Sequence, residues 1–423
     1  LHKSKSAAVT NPTGFFYGWI VLGIAALAVL LSGPGQTYGV STFIDPLMEE
    51  TGWSRSLVSG MYSAGTLVAG LTMAAIGRLV DGRGYRVMLT ALALCFAGAL
   101  LFMSTISTPV TLFIGFLLIR MFGQGSLTLV PGALVPQWFV KRRGRALTVL
   151  ALGGAISSAI LPLININLIA AWGWRRMWLL WSAVIAFVLV PLAWRFVRNR
   201  PEDIGLRPDG ERVEEVHASN ADADSIEESW TVAQAVRTSA FWIVLLCSSI
   251  PSMVGTGAQF HHMSIMSSRG VGPTVAAAVF SVSAGVHVLV LPMVGYVSDR
   301  INAKYILSFG LLVQAATVLA LLAVNSTASA LLVGVLQGLK MAVLAIVGGL
   351  IWPHYFGRRN LASIRGLATS GMVISSALGP LPFGLGYDVF GGYTQIIVLM
   401  AGITLVGAAL VLRLQKPEHP SSV

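Results

Sequence analysis

The chain has 423 residues, 55% of them hydrophobic and only 11% charged, against roughly 45–50% and about 25% in soluble domains, which argues against a soluble enzyme. Its formal net charge of +11 raises nucleic-acid binding, but basic residues of a membrane protein belong first to its loops. Two cysteines, Cys95 and Cys247, sit inside apolar segments and form no CxxC or CxxxH cluster, so neither a disulfide framework, a metal site nor a cofactor is indicated.

Apolar segments bounded by turn or charge signals fall at about 17–45, 54–80, 85–106, 108–139, 145–170 and 175–197, then at about 239–267, 273–298, 304–323, 327–354, 362–388 and 393–414. Many reach the ~18–20 residues needed to span a bilayer. They predict an all-α membrane protein, with twelve transmembrane helices in two pseudo-symmetric six-helix bundles at 1–197 and 239–423. The polar stretch between, 198–238, is Gly/Pro-punctuated and charged, and reads as a cytoplasmic linker. The first apolar run lacks a short core followed by a small-residue cleavage site, so a helix is expected there rather than a signal peptide. It is broken by SGPGQTYG, where Gly33, Pro34 and Gly35 free backbone groups, and such breaks are tolerated where they line a cavity.

With the N-terminus inside, Lys3 and Lys5, Arg78 to Arg86, Lys141 to Arg145, Arg195 to Arg237, Arg300 and Lys304, Arg358 to Arg365, and Arg413 and Lys416 are all cytoplasmic. Only Arg55, Arg175, Arg176 and Arg269 fall on the other side. The positive-inside rule therefore places both termini in the cytoplasm. Scattered over short loops, these cations offer no single basic face, so no nucleic acid is expected as a partner.

The halves repeat in register: Gly77 and Gly295, Asp81 and Asp299, Ser157 and Ser375, Ser158 and Ser376, and Pro162 and Pro380 each lie 218 positions apart. Duplication of a six-span unit is the mark of carriers whose site lies near the membrane midplane between the repeats. The runs GGAISSAILP and TSGMVISSALGPLPFGLG supply small residues for close helix packing.

The segment GRLVDGRGYR, Gly77 to Arg86, and its echo GYVSDRINAKY, Gly295 to Tyr305, resemble the loop motif of the major facilitator superfamily; RMFGQG, Arg120 to Gly125, resembles its fourth-helix motif. FYGWIV, QWFVKRRGRALTVLALGGAISS and HYFGRRNLASIRGLATSG resemble the branch containing oxalate/formate antiporters and monocarboxylate transporters. The resemblance implies a central cavity lined by helices one, four, seven and ten. A carboxylate at a helix end amid arginines accepts bidentate hydrogen bonds, so Asp81, Arg83, Asp299 and Arg300 are expected to form a conformational latch.

Arg120 lies about 12 residues into its span, roughly 18 Å along a helix rising 1.5 Å per residue and mid-depth in a core of about 30 Å. Lys340 has a similar depth in the tenth span, too deep for snorkelling. A charge at that depth costs about 2.5–3.5 kcal/mol and normally meets a partner or a polar pathway. No Asp or Glu falls inside the predicted spans short of the last residues of two of them, Asp45 and Asp388, so the two cations point to an anionic ligand. Gln124, at i+4 from Arg120, and Gln337, at i−3 from Lys340, place an amide on each cation's face. His287 is mid-span and able to exchange protons. Against the monocarboxylate-transporter pattern, His287 stands at the eighth-helix Asp position, Leu291 at the Arg position and Tyr38 at the first-helix lysine. The carboxylate clamp of that branch is missing, while organic anions remain the expected class.

The expected protein is a secondary active transporter, not an enzyme, that moves a small organic anion, a carboxylate by preference, by alternating access through proton symport or anion exchange. The competing expectation is an exporter of drugs or amphipathic metabolites on the same fold. Substrate-binding candidates are Arg120, Lys340, Tyr38, Gln124, Gln337 and His287, with His287 and Arg120 as proton-coupling candidates. His261 and His262 are expected near the outer end of the seventh span, at a gate or interface. The partners expected are the anion, protons and lipid, and the protein a monomer in a bacterial inner (plasma) membrane.

Overall fold

The computed structural model describes residues 16–139, 142–210, 230–298, 300–356 and 361–417. Apolar sequence of this length in lipid has to satisfy every backbone N–H and C=O internally, which leaves helix as the solution for each span. The N-terminal half contains α1 (Gly18–Thr51), α2 (Arg55–Arg83), α3 (Tyr85–Met103), α4 (Pro109–Trp138), α5 (Arg143–Trp172) and α6 (Trp174–Phe196). The C-terminal half contains α7 (Ser239–Phe260, continuing as His262–Ser268), α8 (Pro273–Ser298), α9 (Ala303–Ala320), α10 (Thr327–Phe356), α11 (361–390) and α12 (Thr394–Leu412). Among the described residues, eleven helices are long and apolar enough to cross a membrane. The twelfth, α11, is interrupted at Gly379, where Leu361–Leu378 gives way to Pro380–Phe390.

Each half has its own apolar core, one running from Val21 to Phe139 and Val197, the other from Phe241 to Phe356 and Val411. The helix ends follow from local chemistry. Ser54, Thr108, Thr238 and Asn302 each accept a hydrogen bond from a first-turn backbone N–H of α2, α4, α7 and α9. Gly84 turns the chain between α2 and α3 with φ of 83°, and the Asn199 side chain fills the space a Cβ would need. The small-residue runs do pack helices. Gly153 of α5 lies directly against the Ala26 backbone of α1, and a Cβ on Gly257 of α7 would come within 2.5 Å of the Gly379 carbonyl of α11.

Two of the quoted motifs meet at the linker end of the first bundle. Phe16 and Tyr17 pack on Trp138, and Trp19 on Phe139, with ring centroids 5.0–6.0 Å apart. The second bundle has a counterpart, with Trp230 from the linker and Phe241 from α7 both packed edge-on against Phe356 of α10.

Helix α1 is longer than the apolar run that announced it. The run ends on Asp45, and the helix continues to Thr51 and so carries Glu49 and Glu50 as well, while α11 carries Asp388. The expectation of spans free of carboxylates is corrected to that extent. These groups sit at the end away from the linker: Asp45 pairs with Arg55 at 2.8 Å and Glu50 with Arg175 at 2.8 Å. They lie at helix ends, apart from the mid-span cations.

Candidate substrate site

The first half of the site is built where two irregular backbones cross. The Gly-Pro-Gly break divides α1 into Gly18–Leu31 and Thr37–Thr51 around a short tight turn, Gly33–Gly35. Opposite it, α4 changes winding over Arg120–Ser126 into a π-helical segment, a feature frequent at functional sites. The two pass so closely that a Cβ on Gly35 would lie 2.6 Å from the Ile119 carbonyl and 3.0 Å from the Gly123 Cα. Only glycines allow that approach.

Arg120 uses the opening the break creates. Its side chain is 2% exposed. Nε donates to Thr66 Oγ1 at 3.0 Å, and Nη1 donates to the freed Gly35 carbonyl at 3.2 Å and to Thr37 Oγ1 at 3.4 Å. The Tyr62 ring lies 4.9 Å from the guanidinium, and the Tyr62 hydroxyl is 3.0 Å from Thr37 Oγ1. Nη2 is buried without a hydrogen-bond partner. Arg120 thus ties α4 to α1 and α2 inside its own bundle. Gln124 is half-buried, and its carbonyl accepts from Thr128 at 2.6 Å. Over the π turn the ladder closes at i+5, and Ser126 Oγ donates to the Met121 carbonyl five residues back at 2.8 Å.

The second half of the site is at the junction of α7, α9 and α10. Lys340 is half-buried, and none of the described residues gives it a hydrogen bond or an ion pair. A Cβ added to Gly255 of α7 would lie 3.8 Å from Lys340 Nζ and 3.9 Å from Gln314 Oε1 of α9. The absence of a side chain on α7 therefore leaves room in front of the ammonium. Gln337 is half-buried one turn away on regular α-helix. His287 is half-buried on α8 where that helix crosses α10, its backbone N 3.0 Å from the Cβ position of Gly338. Tyr38 leans from α1 across to the other half, its ring 6.4 Å from that of Phe280 on α8.

The structure brings Tyr38 to the seam between the halves and brings Lys340 to Gln314, but it turns Arg120 and Lys340 each into its own bundle. Thr37 lies in the break the sequence marked, whereas Tyr62, Thr66 and Gln314 were not singled out in the sequence. Gln314 carried a usable signal, a lone amide in the apolar ninth span. The other two, a Tyr and a Thr in α2, carried none.

A family model described as Major Facilitator Superfamily matches residues 24–264 and 253–423. The chain belongs to the major facilitator superfamily. Among solved structures of that fold, a bacterial homolog to the human lysosomal transporter Spinster, inward-facing and unoccupied, is similar with a TM-score of 0.67 at 14% identity, covering 95% of both chains. The nucleoside transporter NupG is similar with a TM-score of 0.72 at 13% identity, covering 94% of this chain and 99% of that one. No curated protein matches in sequence.

As in any major facilitator superfamily member, what joins the halves matters as much as what lines them. Side-chain links across the seam include one well inside the spans, from the Ser281 hydroxyl of α8 to the Ala159 carbonyl of α5, and a group at the end away from the linker. Asp388 of α11 accepts from the Ser56 backbone N–H at the start of α2 at 2.9 Å, and Arg55 lies 4.8 Å above the Tyr387 ring. His261, 1% exposed at the interruption in α7, has Nε2 3.1 Å from both the Pro380 carbonyl and the Ser59 hydroxyl. Its Nδ1 is 3.2 Å from the Tyr393 hydroxyl, which donates to Ser264 at 3.0 Å. Burial pushes the Tyr393 pKa up, so this hydroxyl stays protonated. His262 instead turns inward to the Ala276 carbonyl, at 2.9 Å.

Of the expected latch, Asp299 and the side chain of Asp81 lie outside the described residues. Arg83 is exposed, and Arg300 stacks over Tyr296 at 3.9 Å. Arg86 donates from Nε to the Trp194 carbonyl at 2.8 Å and packs over that ring, which fixes the start of α3 to the end of α6.

Proposed function

We propose that the protein is a secondary active transporter for a small organic anion, a carboxylate by preference, with Lys340 as the group that holds the charge. The observation that carries this is the mid-span ammonium of Lys340, half-buried and given no hydrogen bond or ion pair by any described residue, facing a space kept open by Gly255. A buried cation without a protein partner is costly, and an anionic substrate that neutralises it is bound by that same cost. Tyr38, Gln337 and His287 border the approach from the seam and from α8 and α10. Arg120 acts chiefly by holding the α1 break open, with Nη2 left as its one donor for a ligand or an exchanging proton.

Both termini and the linker face the cytoplasm of a bacterial inner membrane, supported by the concentration of Lys and Arg at that end. On that orientation the linked end is the outer one, and the conformation is open inward. The protein works as a monomer and belongs to the oxalate/formate and monocarboxylate branch. Coupling is by proton symport or by exchange of anions.

The competing proposal, export of drugs or amphipathic metabolites, draws support from an apolar cavity of about 320 Å³ between α7, α11 and α12, lined by Leu246, Ile250, Met253 and Val406 among others. Uptake into proteoliposomes separates the two. Carboxylates taken up with saturation, and competing with one another, support the first proposal. Transport of hydrophobic cations or neutral amphiphiles alone refutes it.

A further inference from the structure

Buried polar groups on α9 have partners with one exception. Ser308 donates to the Ala408 carbonyl at 3.0 Å and Thr317 to the Val313 carbonyl at 2.6 Å. Gln314 is 1% exposed, and its Oε1 has no hydrogen-bond partner. The amide places its oxygen, rather than its amino group, toward the side on which Lys340 lies, the orientation that electrostatics favours beside a cation. Both atoms border the same point, the missing Cβ of Gly255, at 3.9 Å and 3.8 Å. The open space at Gly255 therefore borders both a charged donor and a neutral acceptor.

A plain carboxylate satisfies only half of that recess. It accepts from Lys340 Nζ and brings Gln314 Oε1 no donor of its own, so that oxygen is paired only if the ammonium turns one of its three N–H groups away from the anion. A ligand that completes both carries a hydrogen-bond donor within a bond or two of its carboxylate. An ammonium in that place would set a second cation beside Lys340, which low dielectric penalises; a hydroxyl or an amide N–H would not. We propose that Gln314 is a specificity residue of the Lys340 site, selecting small carboxylates that carry an uncharged hydrogen-bond donor next to the charge. The inference rests on the carboxylate proposal made above.

The discriminating probes are pairs matched in shape: lactate against propionate, malate against succinate, and N-acetylglycine against 4-oxopentanoate. Dissociation constants are measured by calorimetry on the purified full chain. The wild type should bind the donor-bearing member of at least one pair on the order of tenfold tighter. Gln314→Met, close in volume and unbranched, should level the pair while leaving the donor-free member unchanged. Gly255→Ala adds a methyl at ordinary contact distance from both polar atoms and so should narrow the same preference in a folded protein. Equal binding within every pair by the wild type, or a preference that survives both Gln314→Met and Gly255→Ala, overturns the role of Gln314 while Lys340 keeps its own. If no carboxylate binds, or if Lys340→Gln binds them all as the wild type does, the carboxylate proposal itself fails, and the selection with it.

Discussion

Arg120 and Lys340 occupy nearly equivalent depths in the two repeats, yet their surroundings assign them different work. Arg120 satisfies a carbonyl released by a helix break and two threonine hydroxyls, so removing it strands buried acceptors at roughly 1–3 kcal/mol each. Lysine has no fork with which to reach α1 and α2 together. Arg120→Lys should therefore lower stability by on the order of 1–3 kcal/mol, seen as a reduced Tm of the purified protein. An unchanged Tm would show that the three bonds are dispensable. Lys340→Gln removes a charge that no described residue pairs, and its Tm should stay at the wild-type value or rise. The two cations were legible in the sequence as mid-span charges. Their difference was not, because it depends on which backbone carbonyls a break releases and on how a π turn aims a side chain.

At the scale of helices, close crossings decide which glycines tolerate a side chain. Gly35→Ala drives a methyl into the Ile119 carbonyl, and Gly257→Ala drives one into the Gly379 carbonyl, whereas Gly98 has open space around it. Overpacking of that kind costs about 1–3 kcal/mol. Gly35→Ala and Gly257→Ala should each cut folded yield and Tm, with Gly98→Ala as the neutral control; equal behaviour of all three would contradict the crossings described. The break in α1 was legible from Gly33, Pro34 and Gly35. The π segment in α4 was not, since RMFGQGS carries no residue type that demands i→i+5 pairing. The extension of α1 past Asp45 through Glu50 was hidden for a related reason: hydropathy marks where lipid ends, and a helix is free to continue past it.

Across the whole molecule, the duplicated six-helix plan was written in the 218-residue register and in the alternation of apolar runs with basic loops. The seam was not, because contacts such as His261 with Ser59 or Asp388 with Ser56 join residues hundreds of positions apart without any local pattern. Those contacts hold one end shut. Losing hydrogen bonds worth about 1 kcal/mol each shifts a two-state balance roughly fivefold apiece. His261→Ala and Asp388→Ala together should thus speed thiol labelling of a cysteine placed at Ser63, which is buried on α2, in a chain lacking Cys95 and Cys247. No acceleration would mean that the seam is held elsewhere.

The central claim is that Lys340 holds the charge of an anionic substrate, and binding of a carboxylate to the purified protein and to its Lys340→Gln variant tests it most directly. Loss of a charged hydrogen bond predicts an affinity lower by at least about tenfold, with the variant's Tm in the absence of ligand not below that of the wild type. Unchanged affinity in a folded Lys340→Gln protein would contradict the claim.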